Sequence, residues 1–358
     1  MAYAEPLVTV VIPTFRRPKL LRRAILSVLS QTFLAFQICV YDNASDDDTE
    51  KVVAELAKTD SRIKYRRHEQ NIGAVANFNY GLKEVNTLFF SFLSDDDLLL
   101  PHFFEQAMQS LASNPDVMFY AGSTIVVENN KVTNIAKGHG RFGYFPPPEG
   151  VLEILSTGGL IWASIVFRSE VRDSVGMLDA EVGGPIDTDF QLRIAAHHPI
   201  IISNEPSAIF SLHEGSISTA NSDVRLIWPG FQTMGNKMMS DESLPLDVRI
   251  MIQGMLDKWV YWNLCRIGER ASVRGESDNV HAVAELIKRV CNKNTKSTVL
   301  LGLSKVRELS KPAYCLVSLI RRLLIFCTSF NNVLANKMKS RQLQEQYGKY
   351  LHYLNEYT

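Results

Sequence analysis

Along the first hundred residues, short β-branched apolar runs alternate with stretches in which apolar residues return every three or four positions. Val8 to Thr14 is rich in Val, Ile and Thr and gives way to the Arg16, Arg17, Pro18 turn, so it reads as a buried strand. Leu20 to Thr32 follows with Leu21, Ile25, Val28 and Leu29 at helical spacing, and Gln37 to Tyr41 is a second apolar strand. The alternation continues with a helix over Thr49 to Lys58, a strand over Arg62 to Tyr65, a helix over Ala74 to Val85 and a strand over Thr87 to Leu93. Right-handed crossovers gather such strands into one parallel sheet with helices on both faces. Ligands of that architecture bind beyond the carboxyl ends of the strands.

The rhythm changes after a helix over Pro101 to Asn114. Met118 to Tyr120, Ser123 to Glu128 and Lys131 to Ile135 read as strands, and the Asn129, Asn130 pair predicts a hairpin turn. A loop rich in Gly and Pro, Gly138 to Gly150, precedes a short helix and the Gly158, Gly159, Trp162 segment. From Asn221 onward the pattern is nearly all helical. The chain therefore divides into a mixed α/β region over 1–220 and a helical region over 221–358, without internal repeats.

Composition agrees with a packed globular protein: 358 residues, 46% of them hydrophobic, with no net charge. The charge is uneven, however. Lys288 to Lys349 carries thirteen Lys and Arg against Glu308 and Glu345 alone. Such a tail suits an anionic membrane surface or a solvated helical face. Nucleic acid is not expected, because neither zinc-finger spacing nor an aromatic RNA-binding signature accompanies it. Five cysteines, Cys39, Cys265, Cys291, Cys315 and Cys327, form no C-x-x-C pair, and Met1 to Pro6 has no secretory character, so reduced thiols and a cytoplasmic location are expected. Tyr314 to Phe330 is apolar but contains Arg321 and Arg322, which argues against a spanning helix. Leu316, Leu319, Ile320, Leu323 and Leu324 around those arginines instead make an amphipathic helix for a membrane surface, for the catalytic region or for a second subunit.

Two acidic clusters stand at predicted strand ends. Asp42 and Asn43, followed by Ser45 to Asp48, offer either hydrogen bonds to an imide edge such as uracil or a turn and cap for the next helix. Ser94, Asp95, Asp96 and Asp97 follow the fourth strand. Three adjacent carboxylates there repel one another unless a cation screens them, and hard divalent ions bind through one or two carboxylates together with substrate phosphates. A helix amino terminus near Pro101 is the alternative reason for the negative charge.

In order along the chain, Val10 to Thr14, Ser27 to Phe33 (SVLSQTF), Asp42 to Asp46 (DNASD), Asn71 to Gly73 (NIG), Phe92 to Asp97 (FLSDDD), Asp187 to Arg193 (DTDFQLR) and His213 to Ser218 (HEGSIS) resemble glycosyltransferase family 2 over roughly residues 7–215. The resemblance implies the GT-A nucleotide-sugar-binding fold and an inverting, metal-dependent transfer of sugar from a nucleotide-diphosphate sugar to a glycan or lipid-linked glycan, of the polysaccharide or O-antigen type. It implies that Thr14, Asp42 and Asn43 face the nucleoside and Asp95 the ribose. Asp96 would bind Mg²⁺ or Mn²⁺, with Asp97 in support and His213 at the diphosphate or metal. Asp187 would be the general base, with Asn77 and Asp189 in the substrate-binding set and Trp162 a stacking platform for the acceptor. Asn43 stands where many members have a second Asp, and Phe78 stands where many have Arg, which leaves the donor base open.

Competing functions fit less well. Ile12 to Pro18 has no glycine, unlike the phosphate loop of a nucleotidyltransferase, and no Walker or dinucleotide motif occurs. Ala44 breaks the D-x-D-x-T pattern of a haloacid-type phosphatase. A catalytically silent nucleotide-sugar binder remains as the alternative, against which Asp96 and Asp187 together argue.

Overall fold

The structure is a computed structural model that describes residues 5–136, 140–213, 223–291, 297–302, 305 and 343–357. The chain forms two compact units, residues 1–213 with 343–358, and residues 214–342. The amphipathic segment expected around Leu316 to Leu324 lies outside the described residues.

The first unit is built on a ten-stranded sheet. Its amino-terminal half follows the β-α-β pattern: β1 (Val8–Thr14), α1 (Pro18–Leu29), β2 (Phe36–Asp42), α2 (Thr49–Ala57), β3 (Ile63–Arg67), α3 (Ala74–Glu84) and β4 (Phe89–Phe92). The strands lie in the order β3-β2-β1-β4, all parallel. β1 and β2 are buried along their whole length, as β-branched strands covered on both faces should be. α1 opens with Pro18 at its first position, where proline sacrifices no hydrogen bond, and turns Leu21, Ala24, Ile25 and Val28 into the core. α3 packs so closely on the sheet that a Cβ at Gly81 would collide with Val11 Cγ1 and lie 2.9 Å from Tyr41 Cε2.

Beyond β4 the sheet is mixed, as the change of pattern after Asn114 and the Asn129, Asn130 hairpin led one to expect. After β5 (Leu98–Leu99) and α4 (Phe103–Ser113) come β6 (Phe119–Glu128), β7 (Lys131–Ala136), β8 (Gly143–Phe145), α5 (Glu149–Ser156), β9 (Ile165–Arg168), α6 (Val171–Val175), α7 (Ile186–His197) and β10 (Ile200–Leu212). β9 inserts antiparallel between β4 and β6, while β6 and β10 run parallel. Phe90, Phe119, Phe167 and Phe190 are fully buried around that insertion, and the Phe90 and Phe167 rings stack at 5.0 Å. The expected hairpin joins β6 to β7, with Asn129 and Asn130 both at positive φ (52° and 56°), the geometry of a type I′ turn. Met118 to Tyr120 and Ser123 to Glu128, read from sequence as separate, are parts of the single strand β6.

The sequence boundary near 221 assigned the whole carboxyl-terminal region to one helical body. Residues 343–357 instead pack on the first unit. Leu354 and Tyr357 are buried with Leu98, Ile125, Val127 and Ile209, and Tyr357 Oη donates to Ser30 Oγ at 2.8 Å. In the second unit α8 (Val224–Ser240), α9 (Leu246–Arg274) and α10 (Ser277–Cys291) enclose a core of Val224, Leu264, Ala271, Val283 and Ile287. Among the described residues no helix is long and apolar enough to cross a membrane.

Candidate functional site

Strand register assembles the site. Val11 pairs with Phe92 across β1 and β4, and Thr14 pairs with Asp42 across β1 and β2. Continued three residues past each partner of the first pair, this register sets Thr14 level with Asp95. Thr14 Oγ1 accordingly donates to Asp95 Oδ2 at 2.7 Å. Thr14, Asp42 and Asp95 thus form one row along the carboxyl edge of the sheet, where ligands of open α/β sheets bind.

Next to this row, Asp96 meets the side chains of Arg17 and His213. Arg17 Nη1 donates to Asp95 Oδ1 at 3.1 Å and to Asp96 Oδ2 at 3.0 Å, and His213 Nε2 lies 3.1 Å from that same Asp96 oxygen. Asp95 has its carboxyl pushed up to about 6, because burial and the neighbouring Asp96 charge outweigh the opposing pull of Arg17 and Thr14. Asp97 is fully buried, and burial with the Asp96 charge raises it well above the usual carboxylate range. Its Oδ1 accepts from the Ser211 backbone N–H at 3.1 Å. Asp97 therefore ties the β4 end to β10, a backbone-holding task in place of the expected metal contact.

Among the described residues no three His, Cys, Asp or Glu side chains converge to hold a metal ion by themselves. A Mg²⁺ ion that keeps substrate phosphates as ligands needs no such cage. Asp96 Oδ2 and His213 Nε2 lie side by side at 3.1 Å, so a carboxylate and an imidazole, both donor types that divalent ions accept, converge on one place.

The nucleoside side is more self-contained than the sequence suggests. Asp42 is fully buried, accepting from Tyr65 Oη at 2.6 Å and from the Ser45 backbone N–H at 2.9 Å. Burial and Asp42 push the Tyr65 phenol well above its ordinary value, so it stays a donor. Asn43 spends its amide on the following loop, donating to Asn71 Oδ1 (2.9 Å) and accepting from Ile72 N (2.8 Å). Asn77 is buried in the wall, donating to the Tyr41 carbonyl at 2.8 Å with His68 Nε2 at 2.9 Å from its oxygen. Both asparagines are thus tied to neighbouring backbone and side chains at the strand ends.

Asp187 lies in the first turn of α7, partly open to solvent, and its Oδ1 accepts from Thr188 N at 2.7 Å. Burial raises its carboxyl against the opposing pull of the Thr188 hydrogen bonds. Among the described residues no Lys, Arg or His pairs with it. Asp189 contrasts sharply: it is 1% exposed and bound to Arg193 Nε at 2.9 Å, and Arg193 Nη2 in turn donates to the Met177 carbonyl at 3.0 Å. Asp189 locks the entry to α7 and is not open to substrate. Trp162 packs against Phe78 and Phe92, with centroids 4.5 and 5.0 Å apart, so at least part of the ring belongs to the aromatic core.

These pieces are contiguous. Phe92, against Trp162, stands two residues before Ser94, and a Cβ on Gly159 would lie 3.5 Å from Thr188 Oγ1, beside Asp187. The groups not singled out from sequence are Arg17, Tyr65, Asn71 and Asn79. Asn79 clamps both backbone groups of Leu178, at 2.8 and 3.0 Å, and so joins α3 to the loop that leads into α7. Arg17 carried a readable sign, its position directly before the helix-opening Pro18.

Residues 9–171 match the sequence profile of Glycosyl transferase family 2. That stretch is a family 2 glycosyltransferase domain. The chain is 35% identical over 136 residues to the GalNAc(5)-diNAcBac-PP-undecaprenol beta-1,3-glucosyltransferase of Campylobacter jejuni, covering 38% of this chain and 43% of that protein. The chain thus spans less than half the length of that relative. S. aureus TarS 1-349, solved in complex with UDP-GlcNAc, superposes with a TM-score of 0.60 at 14% identity, covering 84% of this chain and 91% of that one. The mannosyltransferase PcManGT from Pyrobaculum calidifontis, solved with GDP-Man and Mn²⁺, gives 0.52 at 15% identity over 97% and 88% of the two chains. These likenesses establish that the glycosyltransferase domain has the GT-A fold.

Proposed function

We propose that this chain transfers a sugar, with inversion, from a nucleoside-diphosphate sugar to a hydroxyl of a lipid-linked glycan. The observation that carries the reading is the difference among three carboxylates: Asp95 fastened to Thr14, Asp96 between Arg17 and His213, and Asp187 with no cation on it among the described residues. Thr14 orients the Asp95 carboxylate by its 2.7 Å hydrogen bond, and Asp95 Oδ1, which also accepts from Arg17 Nη1 at 3.1 Å, faces a ribose hydroxyl. Asp42 and Tyr65 wall the place of the base. Asp96 and His213 would hold Mg²⁺ or Mn²⁺, which when bound offsets the charge that develops on the departing diphosphate. Asp187 accepts the proton of the acceptor hydroxyl as that oxygen bonds to the anomeric carbon and the bond from that carbon to the diphosphate oxygen breaks. Because attack comes from the face opposite the leaving group, no covalent enzyme intermediate forms.

The acceptor class is supported by the Campylobacter relative, whose name carries an undecaprenol-linked glycan. A nucleotide-sugar donor and a lipid-borne acceptor together imply work at the cytoplasmic face of a membrane. The test is a panel of nucleotide sugars screened with Mn²⁺ for thermal stabilisation, followed by donor turnover. One donor should raise the melting temperature and be turned over by the wild type. Asp96→Ala should lose at least about a hundredfold in turnover, the loss of several kcal/mol of charge stabilisation. Turnover that is equal in EDTA and in Mn²⁺ would remove the metal from this reading.

A further inference from the structure

Arg17 is the one guanidinium seen on the Asp95 and Asp96 carboxylates among the described residues, and its contact is an uneven one. A single nitrogen, Nη1, serves both acids at 3.1 and 3.0 Å, in place of the two-pronged fork that makes an arginine–carboxylate pair strong. Asp96 Oδ2, the oxygen it shares, is also the oxygen 3.1 Å from His213 Nε2. The arginine therefore stands on the atom that the metal reading assigns to the cation. Its side chain is 24% exposed against 7% and 10% for the two aspartates, so it covers them from the solvent side. Its backbone is the cap of α1, directly before Pro18, so a move of the guanidinium is a matter of side-chain torsions and leaves the helix in place.

We propose that Arg17 holds the place of the divalent cation in the donor-free protein and turns onto the donor's diphosphate when the metal comes. This rests on the metal-dependent transferase reading given above. The charge of the site is preserved only if metal and diphosphate arrive together. Without them, Asp95 and Asp96 face the Arg17 guanidinium, with Arg23 a further positive charge acting on Asp96. A divalent ion alone adds two positive charges beside Arg17 and is repelled by it. A divalent ion with a diphosphate adds none, and the displaced guanidinium finds two phosphate groups in reach of the same carboxylates. Arg17 thus makes metal binding conditional on the nucleotide and spares the protein a permanently loaded site.

The experiment is Mn²⁺ titration of the full chain, followed by the paramagnetic resonance of free Mn²⁺, with and without the nucleoside diphosphate of the donor found in the stabilisation screen. UDP and GDP serve as probes if the screen is bypassed. Wild type should bind Mn²⁺ weakly alone and tightly with the diphosphate. Arg17→Met should bind Mn²⁺ alone at least about tenfold more tightly, since a cation a few ångströms away has been removed, and should lose most of the tightening by diphosphate. Arg17→Lys keeps the charge and should bind Mn²⁺ alone as wild type does, which separates a charge effect from a change in folding should Arg17→Met be poorly folded. Equal or weaker binding of Mn²⁺ alone by a folded Arg17→Met overturns the proposal, as does tightening in Arg17→Lys. Failure of every form to bind Mn²⁺ in either condition overturns the metal reading itself, and this proposal with it.

Discussion

Asp187 and Asp189 sit two residues apart in the first turn of one helix and meet opposite fates. Asp189 is taken up by Arg193, whereas Asp187 accepts from Thr188 and keeps an open side. Asp187→Asn retains size and the Thr188 bond but cannot accept a proton, so transfer should fall by about 10²–10⁴-fold while donor binding is unchanged, as a rate assay and a calorimetric titration would register. The pH dependence follows from the raised carboxyl. The base works ionised, so the rate should hold at high pH and drop with unit slope as pH falls through a value above the ordinary carboxylate range. A profile flat down to the usual range would remove Asp187 from the role. The sequence made both aspartates candidates because their order along the chain is alike. Asp189 stands four residues before Arg193 on α7, the spacing at which an acid and an arginine meet on a helix, and the Val175 and Met177 carbonyls hold the far side of that guanidinium. Asn43 and Asn77 were legible as candidates for the nucleotide, and their partners, Asn71 and the Tyr41 carbonyl, were illegible because the folded loops set them.

Among elements, α3 is the most tightly fitted to the sheet, and Gly81 is the reason. A methyl group there meets Val11 and Tyr41, both on central strands with little room to yield, so Gly81→Ala should destabilise by about 1–3 kcal/mol in urea unfolding despite alanine's better helix propensity. An unchanged or raised midpoint would mean that α3 stands further from the sheet. The β-α-β series through β4 was readable because short apolar runs such as the buried β-branched β1 alternate with amphipathic helices. β9 was not. It is four residues long and gains its identity from pairing antiparallel with β4 and β6, contacts remote in sequence. The hairpin of β6 and β7 was readable because Asn129 and Asn130 state their own backbone geometry.

At the scale of the molecule, the chain leaves the glycosyltransferase domain after His213, forms a helical unit and returns with residues 343–357. The returning segment covers the sheet around β5, β6, β7 and β10, the last of which holds Asp97 through Ser211 and leads directly to His213. Leu354→Ala should therefore cost about 2–4 kcal/mol in the unfolding of that domain, a loss that thermal or urea melts would detect. A neutral result would mean that the domain does not depend on its returning segment. That return was invisible in sequence, where the tail reads as one more stretch of helix, because docking depends on Tyr357 finding Ser30 and on Gln344 finding the Val132 amide. The central claim concerns the whole assembly: a domain that carries an activated sugar to a hydroxyl with one carboxylate as base. Single-turnover transfer from the donor identified by the stabilisation screen to an undecaprenol-linked glycan, with the anomeric configuration of the product read by NMR, tests it most directly. The account predicts a product inverted relative to the donor, formed by the wild type and lost in Asp187→Asn. A product of retained configuration, or undiminished transfer by Asp187→Asn, would contradict it.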